Sequence, residues 1–487
     1  MEILNYLYKC ALAVASCGVP ALAAAPGAAA APNIVLIVAD DLGWKGVGYH
    51  DGFVKTPNID RIAQQGVQLN RFYVSPMCSP TRAGLLTGRY PMRYGMGRSV
   101  VRPWAKFGLP PEERTLPEAL AELGYKHRGA FGKWHLGHLD PRWHPLSQGF
   151  TTYVGLYNGA GDYFNRERNG QTDWHHDGEP VEAEGYTTDL IANAARDFVT
   201  RHAQDGPFFC YVPFSAPHDP FQAPKEYIDQ YAHLDDTPND GQPSEKQIYS
   251  AMITCMDDGI GRIMKAVEDA GVAQNTLYWF MSDNGGIGKI HGNNAPLRAA
   301  KLTVYEGGVR VPSAVWWPGV IEGGRTVDAT IVSVDVMPTL VHFAGGNAEG
   351  ERPLDGVEVA EALTGKAGTT PDREVYHFNG QTGLETEQIA VMSPQGWKLI
   401  VVGPDIRRDG GFQTEKHRVE LYNVREDPSE KTDRAREKKG LVDELGAKLV
   451  AFRQSEPKQS LPPINRPPRG FEPPQNWRNT SVTDAAR

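Results

Sequence analysis

Two apolar runs constrain this chain more than any other feature. NIVLIVA (33–39) leads straight into Asp40-Asp41, and NTLYWFMS (275–282) leads straight into Asp283-Asn284. A strand that is apolar at successive positions has both of its faces covered. Such strands belong to a parallel sheet with helices on each side. The intervening sequence has the matching alternation. TPNIDRIAQQG reads as a helix with Thr56 as N-cap, Pro57 in its first turn and Gly66 at its end. VQLNRFYV reads as a strand, PTRAGLLTG as a helix closed by Gly88, TLPEALAELG as a helix and YKHRGAF as a strand. TTDLIANAARDFVTRH, PFFCYVPF and the long SEKQIYSAMITCMDDGIGRIMKAVEDAG continue the series as helix, strand and helix. The expected fold is α/β, a large and mostly parallel sheet sandwiched by helices.

The pattern changes near residue 368. REVYHFN, TEQIAVMS, GWKLIVV and VELYNV are strands joined by short turns, and REKKGLVDELGAKLVAFRQ is a charged helix. These predict a smaller C-terminal domain, 369–456, with an antiparallel sheet and one packed helix, after a catalytic domain at 32–368. The tail at 457–487 carries Pro462, Pro463, Pro467, Pro468, Pro473 and Pro474, so it is extended, either loose or laid on the surface.

The N-terminus reads as an export signal, with Lys9, an apolar stretch of small residues and an Ala21-Leu22-Ala23 cleavage site. Residues 1–25 are then the signal peptide and the start of an alanine-rich spacer. The expected location is periplasmic or secreted. A lipid-modified Cys17 is the lesser alternative, because the apolar stretch before it is short. No later run is long enough to span a bilayer. The net charge of −9 argues against nucleic acid as the main partner. Beyond the signal only Cys78, Cys210 and Cys255 remain, too few for a disulfide scaffold. Cys210 and Cys255 lie in apolar patterns and read as buried thiols.

The chemistry gathers at strand ends. In an open α/β sheet, ligands collect beyond the carboxyl ends of strands. If the two acid-terminated strands are neighbours, Asp40, Asp41, Asp283 and Asn284 converge. Like charges so placed need a cation, and hard oxygen donors suit Ca²⁺ or Mg²⁺ rather than zinc. Taken singly, each acidic pair also reads as an Asx turn. Lys133 and His135 in FGKWHLGH, His218 in SAPHDP and Lys301 in PLRAAKLTVYEGG lie in Gly- or Pro-rich loops. With Arg82 they would suit a tetrahedral oxyanion ester. Cys78 stands at a helix start, where free N–H groups and the helix dipole lower a thiol's pKa. A thiolate against a hard, oxygen-bound cation is nevertheless a poor match.

Cys78-Ser-Pro-Thr-Arg82 followed by AGLLTGR resembles the sulfatase signature C-x-P-x-R-x-x-x-x-T-G. ADDLGW, GKWHLG, APH, SDNGG and the downstream Lys301 are similar to the other sulfatase landmarks, in order, and the resemblance covers about residues 32 to 453. GFTTYVGLYNGAGDYFNRER, NNAPLRAAKLTVYEGGVR and PLDGVEV look most like the arylsulfatase B, or N-acetylgalactosamine-4-sulfatase, type. The resemblance implies an alkaline-phosphatase-like fold and conversion of Cys78 to Cα-formylglycine by a maturation enzyme. It implies that Asp40, Asp41, Asp283, Asn284 and formylglycine-78 bind Ca²⁺, with Mg²⁺ as the other option, and that Arg82 steadies the formylglycine hydrate. Lys133, Lys301 and His218 would grip sulfate. A hydrate hydroxyl, helped by Asp283, would attack sulfur in line. His218 with Lys301 would protonate the leaving oxygen, and His135 would deprotonate the second hydroxyl to expel sulfate. The implied substrate is a sulfated carbohydrate or aryl sulfate. Asp162, Tyr163, Arg166, His175 or His176 would lie near its outer sugar, although a surface loop explains them equally well. Two other readings stand beside this one. The first is a phosphonate or phosphate-diester hydrolase of the same superfamily. The second is a non-catalytic sulfated-glycan binder, which would have no need of a nucleophile precursor.

Overall fold

The computed structural model describes residues 31–234, 242–365, 372–407, 411–464 and 466–478. The expected signal segment and the expected boundary at 368 lie outside the described residues. A ten-stranded sheet dominates. Its strands are β1 (Asn33–Ala39), β2 (Val67–Leu69), β3 (His127–Lys133), β4 (Thr152–Leu156), β5 (His175–His176), β6 (Glu179–Pro180), β7 (Phe208–Pro213), β8 (Thr276–Ser282), β9 (Ser313–Trp316) and β10 (Arg325–Val327). The order is β10-β2-β9-β8-β1-β7-β3-β4-β5-β6. The central strands β8, β1, β7, β3 and β4 pair in parallel, while β9 and β5 run antiparallel to their inner neighbours.

The continuous apolar runs follow from burial on both faces. Ile34, Leu36 and Val38 pack into the core on one side of β1, and Val35, Ile37 and Ala39 into the core on the other. Full burial of such a side chain is worth about 1.5–3 kcal/mol. Helices α1 (Pro57–Gln65), α2 (Cys78–Thr87), α3 (Leu116–Glu122), α4 (Thr187–His202) and α5 (Glu245–Asp269) correspond to the helical patterns of the sequence. Thr115 and Glu118 form a capping box on α3, and Ser244 and Gln247 form another on α5. Two local expectations fail. Thr56 does not cap α1 with its side chain; its hydroxyl donates to Asp60 and accepts from the Gly48 N–H instead. VQLNRFYV is not one strand, because residues 70–71 turn the chain between Val67–Leu69 and Phe72–Tyr73.

A second, four-stranded antiparallel sheet contains β11 (Val375–Asn379), β12 (Glu387–Met392), β13 (Trp397–Gly403) and β14 (Arg418–Asn423), with α6 (Lys439–Gln454) packed against it. The proline-rich tail is laid on the surface. Leu461 donates its N–H to Gly95, Ile464 to Gln381 and Asn476 to the Gln171 side chain. No helix among the described residues is long and apolar enough to cross a membrane.

Candidate active site

The register of the central strands fixes the site. Ala39 pairs with Ser282, so Asp40 and Asp283 leave the sheet side by side. The Asp283 N–H donates to the Ala39 carbonyl at 3.0 Å. On the other flank Val38 pairs with Pro213, and the Asp40 N–H donates to Ala216 at 3.0 Å. The chain beyond Pro213 then reaches His218. Lys133 closes β3, which lies next to β7. Four neighbouring parallel strands thus deliver Asp283, Asp40, His218 and Lys133 to one edge, as the strand-end rule expects.

Side-chain contacts draw the group together. Asp40, Asp41, Asp283, Asn284, Arg82 and Lys133 are all fully buried. Asn284 donates its amide to Asp41 Oδ1 at 2.7 Å, and the Asp41 N–H donates to Asp283 Oδ1 at 3.3 Å. Lys301 Nζ reaches Asp41 Oδ2 at 2.8 Å, and Lys133 Nζ pairs with Asp40. Arg82 donates through Nε to Asp283 at 2.9 Å and through its terminal nitrogen to the Lys133 carbonyl at 2.9 Å. Asp41 and His135 both adopt left-handed backbone conformations, with φ of 67° and 58°. Such strain in non-glycine residues collects at functional sites.

Burial would raise the Asp41 carboxyl, but Lys301, His218 and Lys133 outweigh it and hold Asp41 well below its ordinary range. Asp283 goes the other way. Burial and the neighbouring Asp40 push it up to about 6 against the pull of Arg82. Two neighbouring acids of one cluster thus have opposed shifts.

Cys78 is the first residue of α2, and its Sγ lies 3.4 Å from Asp40 Oδ1. The sequence argument that a helix start lowers this thiol's pKa does not hold. Burial, Asp283 and Asp40 together push it far above its ordinary value. Burial and these two carboxylates oppose an anion here more strongly than one helix end favours it. An unmodified thiol here is therefore a weak nucleophile.

The histidines have assignable tautomers. His135 Nε2 lies 3.0 Å from the Val101 carbonyl, an acceptor only, so Nε2 carries the proton. His135 Nδ1 is buried with no hydrogen-bond partner, and burial with Lys133 and Arg82 keeps the ring neutral. His218 Nδ1 lies 2.6 Å from the Asp219 carbonyl, which leaves Nε2 facing Asp41 Oδ2 at 3.7 Å. Burial and Lys301 lower His218 to about 4.

The donor set fits a hard divalent cation. Asn284 Oδ1 is buried without a hydrogen-bond partner, beside three carboxylates. One ligand atom each from Asp40, Asp41, Cys78 and His218 lies within 4.8 Å of the others. Oxygen dominates the cluster, as Ca²⁺ or Mg²⁺ requires.

All ten residues expected at the core of the site are brought together. Most of the outer residues are engaged within their own loop. Tyr163 is buried and donates its hydroxyl to the Ser215 and His218 carbonyls. Arg166 is spent on the Gly185 and Ala183 carbonyls. Asp162 accepts from Gln222 and from two backbone N–H groups of its own turn. His175 is buried on Asp173 at 3.1 Å, and only His176 is exposed. These hydrogen bonds hold the loop beside His218, while Arg166 Nε and His175 Nδ1 are buried without a hydrogen-bond partner. Sequence reasoning missed three positions. Ser79 accepts the Val101 N–H and donates to the His135 carbonyl. Tyr249, near the start of α5, donates to the Asp41 carbonyl at 2.9 Å. Gly159 faces His135 so closely that a Cβ would stand 2.2 Å from the ring. Only Gly159 had a visible signal, in the glycine-rich NGAGD.

A mostly parallel sheet brings buried acids and cations together at its central strand ends, an arrangement suited to a hydrolase of oxyanion esters. Residues 32–346 match the Sulfatase family model, and residues 299–455 match that of N-sulphoglucosamine sulphohydrolase, C-terminal. The N-acetylgalactosamine-6-sulfatase of Homo sapiens is 34% identical over 383 residues, covering 74% of this chain and 70% of its own length. Arylsulfatase J of Mus musculus is 29% identical over 482 residues, covering 90% and 77%. The crystal structure of Ps i-CgsB in complex with k-i-k-neocarrahexaose superposes with a TM-score of 0.78 at 30% identity, covering 88% of this chain and 94% of that one. The chain belongs to the sulfatase family and is a sulfuric ester hydrolase.

Proposed function

We propose that this protein removes sulfate from a sulfated carbohydrate of the N-acetylgalactosamine or galactose sulfate type. The observation that carries the reading is the convergence of Lys133, Lys301 and His218 on the carboxylate cluster beside Cys78. Cations and imidazoles so placed suit a bound sulfate group. The similarity to N-acetylgalactosamine-6-sulfatase and to a neocarrahexaose-bound structure supports a carbohydrate substrate.

On this reading a maturation enzyme converts Cys78 to Cα-formylglycine, whose hydrate supplies an oxygen nucleophile where the thiol is disfavoured. Asp40, Asp41, Asp283, Asn284 and residue 78 would hold Ca²⁺, or Mg²⁺, which supplies positive charge for the sulfate oxygens. Arg82 steadies residue 78 through its grip on Asp283. Lys133, Lys301 and His218 hold the sulfate oxygens and offset the charge that builds on them. Asp283 accepts the proton of the attacking hydroxyl. His218 presents Nε2 toward the cluster and carries the proton for the leaving oxygen, with Lys301 beside it. A bound sulfate ester, being anionic, opposes the cationic surroundings that lower His218 and so favours its protonated form. His135 takes the later proton at its free Nδ1. Export to the periplasm or medium is part of the same proposal, as is the division into a catalytic part (32–368) and a C-terminal part (369–456).

Release of inorganic sulfate from N-acetylgalactosamine 4- and 6-sulfates and from galactose sulfates tests the reading, with bis(4-nitrophenyl) phosphate as comparison. Preferred sulfate release from one of the sugars is the expected outcome. Faster cleavage of the phosphodiester would overturn it.

A further inference from the structure

Arg102 and Arg168 are half-buried arginines with no ion pair among the described residues, and the Nε of each is buried without a hydrogen-bond partner. Arg102 adjoins the catalytic cluster, and Arg168 is near enough for the two charges to act on each other. Arg102 follows Val101, whose carbonyl holds His135 Nε2 and whose N–H is held by Ser79, the residue after Cys78. The next residue, Pro103, accepts from His138 Nε2 at 2.8 Å. The ring of His138 meets Trp477 edge to face at 5.3 Å. Trp477 in turn donates its indole N–H to the Arg168 carbonyl at 3.1 Å. A short chain of contacts therefore links the two arginines, with the C-terminal tail as its clasp.

The electrostatics are those of an incomplete site. Burial lowers Arg102 below its ordinary value and the charge of Arg168 lowers it further, while the nearby Cys78 opposes both. Burial also lowers Arg168, against the carboxylates of Asp173 and Asp219, which lie beyond ion-pair distance. Two guanidiniums that repel each other and have lost part of their hydration gain most when an anion arrives between them. A guanidinium offers a fork of donors suited to sulfate or carboxylate. None of the proposed catalytic steps uses either residue.

We infer that Arg102 and Arg168 form a second anion subsite, so the preferred substrate carries another negative group besides the sulfate that is removed. The subsite selects multiply charged saccharides over singly charged ones. This inference rests on the sulfate-ester reading proposed above.

The test uses matured enzyme hydrolysing 4-nitrophenyl sulfate, with three competing ligands. N-acetylgalactosamine 4-sulfate carries one anion. Its 4,6-disulfate adds a sulfate, and the chondroitin 4-sulfate disaccharide adds a carboxylate. In the wild type, at least one doubly charged ligand should inhibit about 10-fold more tightly than the monosulfate, the worth of one charged hydrogen-bonded contact. The ligand that does so identifies the second group. Arg102→Gln and Arg168→Gln should each shrink that advantage to about 2-fold, and the Lys variants should restore most of it. Equal inhibition by all three ligands in the wild type would overturn the subsite, as would an advantage that survives both Gln substitutions. Loss of the advantage in the Lys variants as well would assign the arginines a packing role. If the wild type fails to cleave the aryl sulfate, the sulfatase reading itself falls, an outcome separate from the others.

Discussion

Asn379 donates its side-chain amide to the carbonyl of Leu302 at 2.6 Å, and so ties the second sheet to the turn that carries Lys301. Leu302 has a φ of 69° and its N–H donates to Pro76, two residues before Cys78. The C-terminal sheet thus acts on the site by fixing one lysine. Asn379→Ala should lower stability by about 1–2 kcal/mol and kcat/KM by roughly tenfold, as the strained turn relaxes. Steady-state kinetics beside a urea melt separates the two. Lower stability with unchanged kcat/KM would confine the tie to folding.

Leaving-group dependence separates the proton donor from the sulfate grip. Nitrophenolate leaves with little help, its phenol having a pKa of roughly 7, whereas a sugar alkoxide needs a proton. His218→Ala should slow a sugar sulfate far more than nitrophenyl sulfate. Lys133→Ala should slow both alike, on the order of 10²-fold or more. Equal losses for His218→Ala on both esters would leave Lys301 as the donor.

Much of this site was legible because it is written at strand ends. NIVLIVA and NTLYWFMS announce doubly covered strands, and the acids after them have only one place to go once the strands pair. The thiol's state was not legible, since the helix start is local while burial, together with Asp283 about 200 residues further on, decides the balance. Tyr249 was hidden for a similar reason. In sequence it is one aromatic among apolar helix residues, and its role depends on where α5 crosses the Asp41 loop. Thr56 had the right residue type and neighbours for a cap, but Asp60 and Gly48 took its hydroxyl. For Asp162, Tyr163, Arg166 and His175 the sequence left an outer-sugar role and a surface-loop role open, because the loop hydrogen bonds they make are absent from any motif.

Acid stability should report on Asp173. Burial would raise its carboxyl, but His175 and the Asn158 donors outweigh that and hold it below its ordinary value of 3.8. The unfolded chain then binds this proton more readily than the folded protein. The stabilisation is complete above 3.8 and is lost as pH falls through the lower folded value. The stability gap between wild type and Asp173→Asn, measured by denaturant melts, should narrow from about pH 6 to about pH 3. A constant gap would contradict the assignment.

Metal content should follow donor chemistry. Asp40, Asp41, Asp283 and Asn284 offer oxygen alone, so elemental analysis of active enzyme should find calcium or magnesium near one per chain, and a chelator should abolish activity until the ion is returned. Stoichiometric zinc without an alkaline-earth ion would contradict the oxygen-donor site.

The central claim is that residue 78 acts as formylglycine and not as cysteine. Peptide mass spectrometry of active enzyme tests it most directly. The tryptic peptide Phe72–Arg82 should weigh about 18 Da less than its cysteine form, because thiol-to-aldehyde conversion loses H₂S and gains oxygen. Fully active enzyme in which this peptide carries only unmodified Cys78 would contradict the account.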